Sequence, residues 1–142
     1  MSSERALWRT LRRIQQNAPI EFLRVENTCL KGMPDVNYAA QKSVTQFWKE
    51  GWIELKERAS WPKRETTQVS IGLSDAQKEW LYERDTKTGR AFILLQCEKD
   101  YLLFNGGDAE EVETWTKKEM LSKCVKHWKN SIDALELWFI LS

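Results

Sequence analysis

Histidine is almost absent from this chain: His127 is the only one in 142 residues. Imidazole-built metal centres and hydrolytic sites that need a histidine base are therefore poor candidates. Cysteine is also sparse. Cys29, Cys97 and Cys124 are odd in number, widely spaced and never in a C-x-x-C pair, which argues against a disulfide framework or a zinc knuckle. No apolar run approaches the roughly 20 residues of a membrane span. The opening Met1-Ser2-Ser3-Glu4-Arg5 lacks the basic-then-apolar layout of a secretory signal. With only 6 Gly and 3 Pro, the chain has no flexible linker, and no repeat or low-complexity tract divides it. What is present is 42% hydrophobic and 30% charged residues, the balance of a globular chain. At this length a folded domain buries roughly 70% of the surface its unfolded form exposes. The expectation is one soluble, cytoplasmic domain over residues 1–142, whose chemistry, if any, rests on carboxylates and lysine.

The net charge of +1 conceals segmentation: residues 1–64 carry +5, residues 65–116 carry −6 and residues 117–142 carry +2. That suggests a local basic face rather than a uniformly cationic coat. The basic clusters are Arg5, Arg9, Arg12 and Arg13, then Lys56, Arg58, Lys63 and Arg64, then Lys117, Lys118, Lys123, Lys126 and Lys129. Solvated helix faces account for the first and third as well as phosphate contacts do. The middle cluster follows a strand with catalytic residue types.

Ser2 or Ser3 caps a helix running to about Gln16, with Leu7, Trp8, Leu11, Ile14 and Gln15 on one face. Glu4 falls near the middle of that apolar stripe, either as a functional carboxylate or as a first-turn charge favouring the helix dipole. Strands are expected over 20–27, 35–40 and 51–56, the last placing Ile53 and Leu55 on one side and Trp52, Glu54 and Lys56 on the other. A polar loop spans 57–72. Ser74-Asp75-Ala76-Gln77 has capping-box spacing and opens a helix ending near Gly89. Ala91–Leu95 is a strongly apolar, central strand, and Tyr101–Phe104 pairs with it. Thr116-Lys117-Lys118-Glu119 opens another helix, with the stripe Met120, Leu121, Cys124, Val125 and Trp128, and residues 132–141 read as helix. The fold class is α/β, a mixed sheet flanked by helices.

Asp35 follows Pro34 at a strand start, while Glu54 and Lys56, two apart, point to one side of the next strand. If those strands are neighbours, two carboxylates and an ammonium converge. Such oxygen ligands suit Mg²⁺, and an adjacent lysine can orient water or offset developing negative charge, which together describe phosphodiester hydrolysis. Plainer readings stand beside this one. Asp35 after proline is a common turn residue, Glu54 and Lys56 fit a solvated strand face, and capping already explains Gln77. Trp61 either stacks on an unpaired base or covers the core, and His127 reads as structural.

Pro34-Asp35 followed by Glu54-Leu55-Lys56 resembles the motif of the PD-(D/E)XK nuclease superfamily. Lys31-Gly32-Met33-Pro34-Asp35, Ile53-Glu54-Leu55-Lys56 and Leu73-Ser74-Asp75-Ala76-Gln77 look more narrowly like its VRR-NUC branch, which is similar to Holliday-junction resolvases and often occurs as small stand-alone phage proteins. The resemblance covers roughly residues 3–104. It implies an αβββαβ restriction-endonuclease-like core, here with an added strand and C-terminal helix. It implies Asp35 and Glu54 as ligands of Mg²⁺ (with Mn²⁺ able to substitute), the Leu55 carbonyl completing the protein's share, Lys56 as catalytic lysine and Gln77 as accessory residue. A first-helix carboxylate is also implied, with Glu4 in the right place and Glu21 as runner-up. Lys31, Arg58, Lys63 and Arg64 are the residues offered to DNA. The implied activity is structure-selective DNA endonuclease, on branched DNA such as Holliday junctions, by a homodimer in a host cytoplasm. The rival expectations are a non-catalytic DNA-binding or scaffold protein and a nuclease acting on ends, flaps or linear DNA. Eighteen residues separate Asp35 from Glu54, so the intervening hairpin is longer than in compact members.

Overall fold

The apolar 91–95 run dictates the architecture, because a strand without a polar face must be covered on both sides. In the computed structural model, which describes residues 3–25 and 31–142 and the side chains from residue 6 onward, that run lies inside a six-stranded sheet. The elements are α1 (Ser3–Ile14), β1 (Ile20–Arg24), β2 (Val36–Ala40), β3 (Lys49–Arg58), α2 (Asp75–Thr88), β4 (Ala91–Cys97) and β5 (Asp100–Asn105). A 3-10 turn at Gly106–Asp108 then leads to α3 (Ala109–Val112), α4 (Lys117–Lys123), β6 (Lys126–Lys129) and α5 (Ala134–Leu141). The strands stand in sequence order, β1 to β6. All neighbours are antiparallel except β3 and β4, which are parallel and joined by the crossover that contains α2.

Two cores follow from the alternation of side chains. On one face Leu7, Leu11 and Ile14 of α1 and Leu137 and Leu141 of α5 pack over Val36, Tyr38, Ile53, Leu55, Phe92 and Leu94. On the other, Leu81 of α2, Val112 of α3 and Met120 of α4 pack over Ile93, Leu95, Leu102 and Phe104. Alternate residues of β4 thus feed opposite cores. Gly51, opposite Tyr38 in the β2–β3 register, has a close-approach reason to be glycine: a Cβ there would collide with the hydroxyl end of the Tyr38 ring. That burial pushes the Tyr38 phenol up to about 12, with Arg90 only partly opposing it.

The observed α/β layout, a mixed sheet flanked by helices, is the one expected from sequence, and α1-β1-β2-β3-α2-β4 is the expected order. Boundaries shift slightly. The first helix stops at Ile14, the first strand at Arg24 and the second begins at Val36, within the usual fraying of element ends. Residues 26–27 of the expected first strand, and Cys29, lie outside the described residues. The expected helix carrying Trp128 is a correction. α4 ends at Lys123, Cys124 turns extended (φ −65°, ψ 157°), and residues 126–129 form edge strand β6 along β5. Trp128 is buried among the residues around α1 and α5, on the opposite side of the sheet from Met120, so one helix could not serve both. The elements added to the core are therefore two strands, β5 and β6, and three helices, α3, α4 and α5, rather than one strand and a C-terminal helix.

Candidate active site

The face of β3 that carries Trp52, Glu54 and Lys56 is covered by α2 rather than solvated. Trp52 meets Trp80 of α2 edge-on at 5.4 Å between ring centres. Under that cover Glu54 is 2% exposed, an unusual position for a carboxylate unless donors hold it. One donor is Gln77, whose Nε2 gives a 3.0 Å hydrogen bond to Glu54 Oε2. Lys56 Nζ stands 3.7 Å from the same oxygen, with its side chain 14% exposed. The plain strand-face reading of Glu54 and Lys56 does not describe this geometry.

Gln77 performs both of the duties that the sequence left open. Ser74 Oγ accepts from the Gln77 N–H at 3.1 Å, and Gln77 Oε1 accepts from the Ser74 N–H at 2.9 Å, closing the capping box of α2. The amide's other end is then free to donate to Glu54. An amide can do this because it has an acceptor and a donor on one rigid plane, which a glutamate at the same position lacks.

Asp35 immediately precedes β2. Since Val36 pairs with Ile53, Asp35 lies across from the Glu54–Leu55 peptide, and the Leu55 N–H points at Asp35 Oδ2 at 3.4 Å. N–H and C=O of one strand residue project to the same side, so the Leu55 carbonyl also points to the β2 side, past the end of that strand. Gly32 (φ +84°) brings the preceding loop onto α2: a Cβ there would collide with the Ala76 backbone. That contact sets the Asp35 loop against the turn that carries Gln77. Among the described residues no three or more His, Cys, Asp or Glu side chains gather as a metal group. A cation held here would meet the two carboxylates of Asp35 and Glu54 and a carbonyl, a set that would suit Mg²⁺, an ion that keeps several of its waters.

Lys56 is held from a second direction. Its Nζ donates to the Gly72 carbonyl at 3.2 Å, and two residues further along β3 Arg58 donates to the Ser70 carbonyl at 2.7 Å. The N–H groups of that same segment go to Glu113, at 2.8 Å from Ile71 and 3.2 Å from Gly72. Glu113 thereby fixes the carbonyl that fixes Lys56. Nothing local in the sequence singles it out, since it closes an acidic run, Glu110-Glu111-Val112-Glu113, that reads as a solvated surface.

The remaining expected residues are distributed differently. Glu4 lies in α1, but its side chain is outside the described residues. Glu21 is exposed on β1 opposite Ala39, away from the Asp35 end of the β1–β2 pair, and does not join the cluster. Lys31 is exposed beside Gly32, and Lys63 and Arg64 are exposed on the 61–67 loop. Arg58 commits its guanidinium to the carbonyls of Ser60 and Ser70. Trp61 covers the core: it is buried, and its indole donates to Asp100 at 2.8 Å. His127 meets the same carboxylate at 2.7 Å.

No family model matches the chain, and no curated protein matches it either.

Proposed function

We propose that this protein is a metal-dependent DNA endonuclease that hydrolyses phosphodiester bonds. The observation that carries the reading is the buried Glu54 carboxylate, bonded to Gln77, flanked by Lys56 and set across from Asp35. Asp35, Glu54 and the Leu55 carbonyl would hold Mg²⁺ or Mn²⁺, which when bound lowers the pKa of a coordinated water and polarises the phosphoryl group. Lys56 contributes a fixed positive charge where negative charge grows on the phosphoryl oxygens, and its anchorage on Gly72 means little rearrangement is needed to supply it. Gln77 keeps the Glu54 carboxylate turned toward Lys56. A carboxylate buried here carries a desolvation cost that Gln77 and Lys56 must offset, and a scaffold role alone gives no reason to keep so costly a group in place of an apolar side chain.

Selectivity for branched DNA is the finer part of the proposal. It is supported by the motif resemblance, and paired cuts across a junction would require a two-fold homodimer. The test compares a labelled four-way junction with matched linear duplex, in Mg²⁺ or EDTA, for the wild type, Asp35→Asn and Lys56→Ala. Metal-dependent cutting that falls in both variants by at least about 10²-fold, as expected for removal of a transition-state charge, supports the assignment. Equal cutting of both substrates removes the branch preference. Binding without cutting in Mg²⁺ and Mn²⁺ leaves a DNA-binding protein and sinks the enzyme.

A further inference from the structure

The folded chain brings two basic clusters 53 residues apart in sequence, Lys63-Arg64 and Lys117-Lys118, onto one cavity. It has a volume of about 850 Å³ and lies between the 61–67 loop and the start of α4. Glu65 is the one carboxylate in its lining, against those four cations. Hydrogen bonds at both ends of the loop make this a fixed arrangement. The Trp61 N–H donates to Glu98 at 2.8 Å, its indole donates to Asp100, and the Val69 N–H donates to the Trp115 carbonyl at 2.8 Å, beside a Gln68–Thr116 bridge. Both ends of the loop are thus anchored while its tip, 63–68, stays exposed. Lys117 Nζ lies 5.0 Å over the Trp61 ring, which holds one of the cations at the cavity wall.

Four cations in a concave lining with so little counter-charge repel one another, and a polyanion relieves that repulsion. The position suggests which polyanion. The loop continues directly from the end of β3, so the chain from Lys56 to Trp61 reaches at most about 17 Å at about 3.3 Å per residue. A duplex strand covers that distance in about five phosphates at about 3.4 Å of axis each. We propose that this groove binds the phosphodiester backbone of the substrate strand that runs on from the cutting site. The inference rests on the nuclease reading and adds Lys117 and Lys118 to the DNA surface. Lys63 and Arg64 then act as one wall of a groove, not as a separate patch.

The test measures DNA affinity against salt for the full-length protein carrying Asp35→Asn, so that binding is read without cutting. Lys117→Ala/Lys118→Ala and Lys63→Ala/Arg64→Ala are compared with a control that removes the same charge elsewhere, Lys42→Ala/Lys87→Ala. Each groove pair is expected to lower the slope of log K against log salt by about 1.8, at about 0.9 for each phosphate no longer neutralised. Affinity at physiological salt should fall at least about 10-fold, while the control leaves both unchanged. In the active protein the groove pairs should raise KM and leave kcat alone. Thermal melting confirms that each variant is folded, and Lys118→Glu alone serves if removing Lys117 from the Trp61 ring unfolds the first pair. An unchanged slope, or an equal effect of the control, overturns the groove. So does mononucleotide or inorganic phosphate competing as tightly as an oligonucleotide, which would make the cavity a small-ligand pocket. If the wild type cuts DNA but the groove variants bind like their parent, the groove alone fails. If the wild type neither binds nor cuts, the nuclease reading fails with it.

Discussion

At the scale of single residues, Gln77 shows how one side chain serves both stability and site. Its two duties separate experimentally. Ser74→Ala removes the cap acceptor and should cost about 1 kcal/mol of stability while cutting continues. Gln77→Glu keeps an acceptor for the Ser74 N–H but sets a second carboxylate against buried Glu54. Like charges so close disfavour joint ionisation. Cutting at neutral pH should therefore drop by more than about 10-fold, roughly the effect of one pKa unit of lost interaction, measured in the same junction assay beside thermal melts of both variants. Glu113 acts one step further away. Glu113→Gln loses one of the two carboxylate oxygens that hold the 71–72 backbone, and so loosens the carbonyl on Lys56. The expected result is kcat reduced about 10–100-fold with KM unchanged, since small misplacements of a catalytic group are costly. Partial rescue by Glu113→Asp would separate positioning from simple destabilisation. If stability falls and kcat holds, Glu113 is only structural.

Among elements, the late strands show where local pattern loses to tertiary demand. The stripe Met120, Leu121, Cys124, Val125, Trp128 has helical spacing, yet β5 has an open edge whose N–H and C=O groups need partners. Pairing residues 126–129 there satisfies that edge and turns Trp128 onto the α1 side. The join is reinforced by Asp100 at the start of β5, which accepts from His127 and Lys129 of β6 and from Trp61 of the loop after β3. Burial disfavours the Asp100 charge, but those hydrogen bonds outweigh it and hold the carboxyl below its ordinary value. A depressed carboxyl contributes stability that is complete above the ordinary value of about 3.9 and is lost as pH falls through the lower folded value. Melting temperature against pH should thus decline on the acid side below about pH 4. Asp100→Asn should be less stable at neutral pH and decline less steeply there; an identical acid limb would remove Asp100 from the account.

For the molecule as a whole, the parallel β3–β4 pair does most to build the site. A parallel pair needs a crossover, the crossover contains α2, and α2 lays Gln77 and Trp80 over the face that carries Glu54. If Asp35 and Glu54 hold a divalent cation, binding it stabilises the folded state by about 2.7 kcal/mol at a hundredfold excess over Kd. Mg²⁺ should therefore raise the melting temperature of the wild type by several degrees, and EDTA should reverse the shift. In Asp35→Asn the shift should largely vanish. An equal shift in both would place the cation elsewhere.

Much of this was legible in the chain itself. The apolar run 91–95, the two capping boxes and the alternation of 52–56 are local signals, and local signals report period and cap chemistry directly. They suffice for the α/β class, for most elements and for Asp35, Glu54 and Lys56 as candidates, whereas Gln77 became one only through the motif resemblance. They could not supply Glu113, or the meeting of Lys117 and Lys118 with Lys63 and Arg64, or the strand at 126–129. The first two depend on partners far away along the chain, and the third on an edge that exists only once the sheet is assembled. Spacing along one segment carries no information about such partners. Burial and hydrogen bonding between segments decide them, and both arise only when the chain has folded.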